Sequence, residues 1–255
     1  MLIPKEHGAY GQLLIPLLAA LLIGRPDAGA YLLAAAGTAA FLAHEGLLVQ
    51  LGQRGSRAAR ELRADARKSV GLFGGFAAVA GVVSLTALPV DARSWLLLPA
   101  GLAVAVAVAV FAQVERTTAG ELLVGTALSS LSVPVAVAGK VPLPSALTLL
   151  AVFASVFGAA TVSVRAVIGR VAKAGGPPLA GAALLTLALL ALLAVLSVQG
   201  RLASVAPFAA MPVCAVSLGL SARPPSPKYL RQVGWTLVGA TILTAAILVA
   251  GLAHS

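Results

Sequence analysis

Nine apolar runs follow one another along this chain, at about 9–24, 28–51, 69–88, 95–113, 120–139, 145–164, 179–198, 204–221 and 233–252. A helix needs about 20 mostly apolar residues to cross the roughly 30 Å of hydrocarbon in a bilayer. Inside that layer, backbone N–H and C=O groups find no water, so each run must satisfy them internally as a helix. The expected fold class is therefore all-α: a polytopic transmembrane helical bundle of about nine spans. Composition agrees, with 60% hydrophobic residues, 10% charged residues and a mean hydropathy of +1.00. Soluble domains are about half apolar and a quarter charged. Runs and short breaks use nearly all of the 255 residues, so 1–255 reads as a single integral membrane domain.

The breaks carry turn chemistry. Gly24-Arg25-Pro26-Asp27, Pro89-Val90-Asp91-Ala92-Arg93, Lys140 to Pro144 and Gly175 to Pro178 all interrupt helices through proline or glycine. Lysine and arginine fall unevenly across them. With the N-terminus in the cytoplasm, 14 of the 18 basic residues lie on the cytoplasmic side, and only Arg25, Arg93, Lys140 and Arg201 lie opposite. The positive-inside rule then gives an N-in, C-out topology. The first run is expected to stay as a helix, since Glu6 and His7 do not make a basic leader region. A formal charge of +10 is explained by these loops and by contacts to anionic membrane lipids, with no nucleic-acid partner. Cys214 stands alone in an apolar run, which excludes a disulfide framework.

Ionisable residues at the edge of hydrocarbon are costly and invite a functional reading. Pro4-Lys5-Glu6-His7-Gly8-Ala9-Tyr10 precedes the first run, and His44-Glu45 lies near the end of the second. His44 and Glu45 point in different directions on a helix, which speaks against one shared ligand. From Arg54 to Lys68, basic residues at 54, 57, 60, 63 and 67 are spaced to fall along one helical stripe. Glu61 and Asp65 are positioned to pair with Arg57 or Lys68. Glu121 opens the fifth run as a charge near a helix N-terminus, and Arg165 ends the sixth at a depth where snorkelling suffices. Ser129, Ser130, Ser132 and Pro134 form the one dense polar stretch inside a run.

Under the N-in topology these groups share one side, while the middle and far ends of the spans carry almost no ionisable residue. The expectation is a polar cavity open to the cytoplasm, with Glu6, His7, His44, Glu45, Glu121 and Arg165 as its candidate residues. Arg54, Arg57 and Lys228 are candidate phosphate or head-group contacts. No metal site is assigned, because His7, His44, Glu45 and Glu121 have no fixed short spacing, and no cofactor or catalytic residue is identified.

Ile3-Pro4-Lys5-Glu6-His7-Gly8-Ala9-Tyr10-Gly11, then His44-Glu45 with Leu47-Leu48, Gly52-Gln53-Arg54-Gly55 and the later Pro227-Lys228-Tyr229-Leu230 resemble the YwiC-like family of bacterial membrane proteins. That resemblance implies a membrane fold and no particular activity. The nine-helix layout is more distantly similar to the UbiA prenyltransferase superfamily, whose Asp-rich motifs after spans two and six hold magnesium and a prenyl diphosphate. Here the first place reads His44-Glu45-Gly46-Leu47-Leu48-Val49-Gln50-Leu51 and the second Ser163-Val164-Arg165-Ala166-Val167-Ile168-Gly169-Arg170. One carboxylate stands in the first and none in the second, so a magnesium–diphosphate site of that kind is not expected. The sequence points to an anionic or isoprenoid lipid as ligand. A small-solute transporter and a non-enzymatic accessory subunit are the alternatives.

Overall fold

The computed structural model describes residues 1–4, 7–172 and 177–253. Thirteen α-helices run through them, and no strand occurs among the described residues. They are α1 (His7–Ile23), α2 (Ala28–Gln50), α3 (Ser56–Glu61), α4 (Arg63–Ser69), α5 (Gly75–Ala87), α6 (Val90–Trp95), α7 (Leu97–Phe111), α8 (Thr118–Ser130), α9 (Ser132–Ala138), α10 (Leu143–Ala172), α11 (Leu179–Val198), α12 (Ala206–Ala222) and α13 (Leu230–Leu252). A π-helical turn, Val70–Gly74, joins α4 to α5.

All nine apolar runs are helical. Seven helical stretches are long and apolar enough to cross a membrane: Ala28–Gln50, Arg63–Ala87, Val90–Phe111, Thr118–Ala138, Leu143–Arg170, Leu179–Val198 and Leu230–Leu252. Gly8–Ile23 and Ala206–Ala222 are apolar but shorter, about 25 Å at 1.5 Å per residue. Their lengths follow from the punctuation. Gly24-Arg25-Pro26 stops α1, and α12 is framed by Pro207 in its first turn and Arg223-Pro224-Pro225 after its last.

The centre of the bundle is α10, whose 30 residues span about 45 Å. It packs against α1, α8, α9, α11 and α12. Phe153, Leu149, Val152 and Val156 on α10 are fully buried with Leu13 and Leu17 of α1, Val133 and Val135 of α9, Val213 of α12 and Leu248 of α13. The stretches Arg63–Ala87 and Val90–Phe111 lie at the edge, with Val79, Val82, Val83, Leu97, Val104 and Val108 exposed. Such outward faces suit lipid, which is as apolar as the side chains themselves.

Prolines shape two helices locally. Pro16 inside α1 has no N–H for the Gln12 carbonyl, and the Ser129 hydroxyl on α8 lies 3.4 Å from that oxygen. Helices α8 and α9 meet at Leu131 ahead of Pro134. Ser129, Ser130 and Ser132 there turn their hydroxyls onto the carbonyls of Gly125, Ala127 and Ser129 at 2.7 Å. The three serine hydroxyls thus spend their protons on backbone carbonyls within a buried interface.

Candidate functional site

The expected arginine stripe is not one helix. After α2 the chain turns through Gly52 (φ +74°) and Gly55 (φ +90°), backbone in the left-handed region that glycine adopts without a Cβ penalty. A second break falls at Leu62 between α3 and α4. Arg54 is left out of both helices and folds back on α2. Its Nε donates to Glu45 Oε1 at 2.9 Å and its Nη2 to Glu45 Oε2 at 2.6 Å. This is the paired, fork-to-carboxylate arrangement that gives arginine its geometric selectivity. Arg54 Nη1 also lies 3.9 Å from Glu115 Oε1.

Glu115 and Arg116 sit in the turn between α7 and α8. Helix α7 ends with Gln113 in the left-handed region (φ +57°), its N–H on Val110 O and the Val114 N–H on Ala109 O, the pattern of a Schellman stop. Helix α8 starts with the Thr117 hydroxyl accepting from the Gly120 N–H at 3.1 Å. The Val114 and Glu115 carbonyls press on Gly120 so closely that a Cβ there would collide with backbone. The glycine therefore seats the Glu115–Arg116 turn on the first turn of α8.

Glu121, in that same first turn, does not serve the helix end alone. Arg165 of α10 donates from Nε to Glu121 Oε2 and from Nη2 to Glu121 Oε1, each at 2.6 Å, and Nη2 also donates to the Arg116 carbonyl. Arg165 is thus tied to a second helix instead of snorkelling, because α8 packs along α10. Three helices and two turns contribute to the cluster: Glu45, Arg54, Glu115 and Arg116 are linked by their charges, and the Arg116 carbonyl joins them to the Arg165–Glu121 pair. Three arginines face three carboxylates, and the side chains of Arg54, Glu45 and Glu115 are only 20–23% exposed. Arg116 differs, with its side chain 76% exposed and Glu115 Oε1 3.8 Å away.

Two clefts open on this cluster. The first, of about 640 Å³, lies between α1, α2, α7 and α8. His44, Arg54, Glu115, Arg116 and Glu121 line one end, and Gly37, Phe41, Pro99, Ala103, Val106, Leu128 and Leu131 line the rest. From the charged end inward it follows about 10–13 residues along α2, α7 and α8, roughly 15–20 Å. Among the described residues α2 and α7 share no extended packing, so the cleft separates them. The second, of about 610 Å³, lies between α1, α10 and α13. Gly8, Gln12, Glu121 and Thr161 line both clefts, and Arg165 lines the second.

The remaining expected site residues lie elsewhere. Glu6 is outside the described residues, and His7 opens α1 with its side chain outside them. Arg57 is almost fully exposed and pairs with Glu61 at 2.8 Å. Asp65 instead takes the Met1 amino group at 3.1 Å. Lys228 lies 4.9 Å over the Tyr229 ring and lines neither cleft. The described residues on either side of Glu6 are nevertheless anchored near the site. The Leu2 N–H donates to Ser69 Oγ at 2.7 Å, the Tyr10 hydroxyl donates to the Pro4 carbonyl at 3.0 Å, and the Tyr10 ring meets Phe41 edge-on at 5.1 Å. Among the described residues no group of three or more His, Cys, Asp or Glu side chains is placed to hold a metal ion. Sequence reasoning missed Gln12 and Thr161 as lining residues. The available signal was that Gln12 is the only amide inside the first apolar run.

A family model described as YwiC-like protein matches residues 3–137, just over half of the chain. The chain belongs to the YwiC-like family. The match covers α1 through Val137 of α9, hence the Glu45–Arg54 pair, Glu115, Arg116 and Glu121, while Thr161, Arg165 and the α13 wall of the second cleft fall beyond it. No curated protein and no solved structure matches the chain.

Proposed function

We propose that this multi-pass membrane protein of the YwiC-like family binds an anionic amphiphile, a phospholipid or an isoprenoid phosphate, in the cleft between α2, α7 and α8. The observation that carries this reading is the polarity gradient of that cleft. Its charged end holds His44, Arg54 and Arg116 together with Glu115 and Glu121, and its inner walls are aliphatic and aromatic. A phosphate head beside the exposed Arg116 guanidinium gains a charge-assisted bond, while the tail replaces lipid along Ala103, Val106 and Leu128. Arg54 is already committed to Glu45, so it orders the cleft mouth more than it holds phosphate. The exposed Arg57, Arg60, Arg63, Arg67 and Lys68 of α3 and α4 draw anionic head groups to that mouth. In this reading the charged end faces the cytoplasm of a bacterial inner membrane, an orientation that the lysine and arginine distribution supports.

Native mass spectrometry of detergent-purified protein, followed by lipid extraction, separates the two head-group sources. Retained phospholipid supports one and retained isoprenoid phosphate the other. Ala103→Phe fills the inner cleft and is expected to remove the retained anion at least 10-fold. Wild type that carries no anionic amphiphile, or Ala103→Phe that carries as much, overturns the reading. Orientation is checked in whole cells on a Cys214→Ser background with a membrane-impermeant maleimide. Arg201→Cys is expected to react, and Arg57→Cys only after lysis.

A further inference from the structure

We infer that the second cleft, between α1, α10 and α13, is a separate binding site for an uncharged amphiphile with a hydroxyl head, such as a long-chain alcohol or a neutral glyceride. Its volume of about 610 Å³ falls in the range of small-molecule sites, which run from about 300 to 1,000 Å³. Charge sets it apart from the first cleft. Its cation, Arg165, has Nε and Nη2 on the two Glu121 oxygens and Nη2 also on the Arg116 carbonyl. An anion entering here would have to compete with a carboxylate held at 2.6 Å by two bonds, whereas a neutral hydroxyl displaces nothing. Partners for such a hydroxyl stand ready, since the Gln12 carboxamide and the Thr161 hydroxyl make no hydrogen bond among the described residues. The carboxamide offers both donor and acceptor, and a hydroxyl offers either. Deeper in, Phe157 provides an apolar wall and Thr241 has its proton on the Leu237 carbonyl. Gly234 lies on the wall, and a Cβ added there meets nothing within 4 Å, so the space beside α13 is open to a chain.

Gln12 and Thr161 also line the first cleft. The two ligands would therefore lie on opposite sides of one polar wall, each with its own apolar chamber. The test uses photo-crosslinking with two matched probes, a 16-carbon alcohol and the corresponding fatty acid, each carrying a diazirine in the chain, followed by peptide mapping. The alcohol is expected to label peptides of α10 and α13 at least 5-fold more than the acid. Gly234→Leu is expected to cut that labelling about 10-fold. Thr161→Val, which keeps the side-chain volume, is expected to cut it about 3- to 10-fold with an unchanged melting temperature, so a folding failure of Gly234→Leu would not decide the matter. Ala103→Phe, which fills only the first cleft, leaves the labelling in place, and this separates the site from the anionic one. Equal labelling by the acid, label unmoved in both Gly234→Leu and Thr161→Val, or loss of label in Ala103→Phe overturns the inference.

Discussion

Two arginines hold carboxylates by the same two-bond geometry, yet they organise different things. Arg54 and Glu45 are nine residues apart, and their pair closes a turn onto the helix that precedes it. Arg165 and Glu121 are 44 residues apart, and their pair ties α10 to α8 where the two clefts adjoin. The local pair is the better shielded, with side chains 20% and 23% exposed against 28% and 44%. Exposure weakens an ion pair through solvent screening, whereas a shielded charge stripped of its partner is costly. The local pair should therefore weigh more in stability, and the distant pair more in keeping the clefts apart.

The sharpest way to break this contrast is Arg54→Ala. It removes the cation that faces both Glu45 and Glu115 and leaves two shielded carboxylates. Removing one partner of a buried pair costs about 3–5 kcal/mol; for these partly exposed groups about 2–3 kcal/mol is expected, read as a lower melting temperature in detergent. Glu45→Gln combined with Arg54→Ala should recover part of that loss, and a double variant no better than the single one would show that the pair carries none of it.

Next comes Gly120→Ala, which attacks the element common to both pairs. The Glu115–Arg116 turn offers its carboxylate to Arg54 and its carbonyl to Arg165. The new Cβ would meet the Val114 and Glu115 carbonyls, backbone that must shift as a unit. Overpacking of this kind costs about 1–3 kcal/mol, so about 2 kcal/mol is expected from the same melting measurement. The variant should also weaken the coupling of each pair in double-mutant cycles, and unchanged coupling in both would mean the turn is a bystander.

Much of the bundle was legible because hydrocarbon leaves a backbone few choices. Each apolar run became a helix, and Gly24-Arg25-Pro26-Asp27 ended one helix and capped the next through Asp27 and the Ala30 N–H. The local half of the site was also within reach, since His44, Glu45 and Arg54 sit within eleven consecutive positions on a helix and its turn. Two things were not. The stripe from Arg54 to Lys68 obeyed helical spacing, but Gly52 and Gly55 in left-handed backbone detached Arg54 from it. The Arg165–Glu121 contact depends on how α8 and α10 pack, and no local pattern encodes which helix an edge arginine will face. Gln12 was visible as an amide in an apolar run, yet its place on a wall between two clefts needs α1, α8 and α10 together.

Arg165→Ala gives a smaller expected loss of stability, about 1–2 kcal/mol, because Glu121 keeps access to solvent. Its functional signature should be the larger one. Freed from the guanidinium, the Glu121 carboxylate places an uncompensated negative charge on the wall common to both clefts. Retention of an anionic amphiphile in the first cleft is expected to fall about 3- to 10-fold, a loss that Glu121→Gln added to Arg165→Ala restores. Arg54→Ala with equal or greater loss of stability but intact label in the second cleft would sharpen the division of labour. Equal effects of both substitutions on both clefts would abolish it.

The smallest expected effect belongs to Arg57→Ala, and it sets the baseline for the other three. Arg57 makes a single-oxygen contact with Glu61 one helical turn away, on the outer face of α3, with its side chain 86% exposed. Pairs of this kind are worth about 0.3–0.5 kcal/mol on a helix surface and are screened by salt. The melting temperature of Arg57→Ala should therefore match wild type within error at 0.5 M salt and differ by no more than about 0.5 kcal/mol at low salt. Any consequence should appear as a smaller share of anionic lipid co-purifying with the protein in detergent, since an anionic lipid surface attracts each nearby arginine with about 1 kcal/mol. A stability loss comparable to that of Arg54→Ala would mean that the turn between α2 and α3 does not separate a shielded arginine from a solvated one, and the contrast between the two would then rest on sequence position alone.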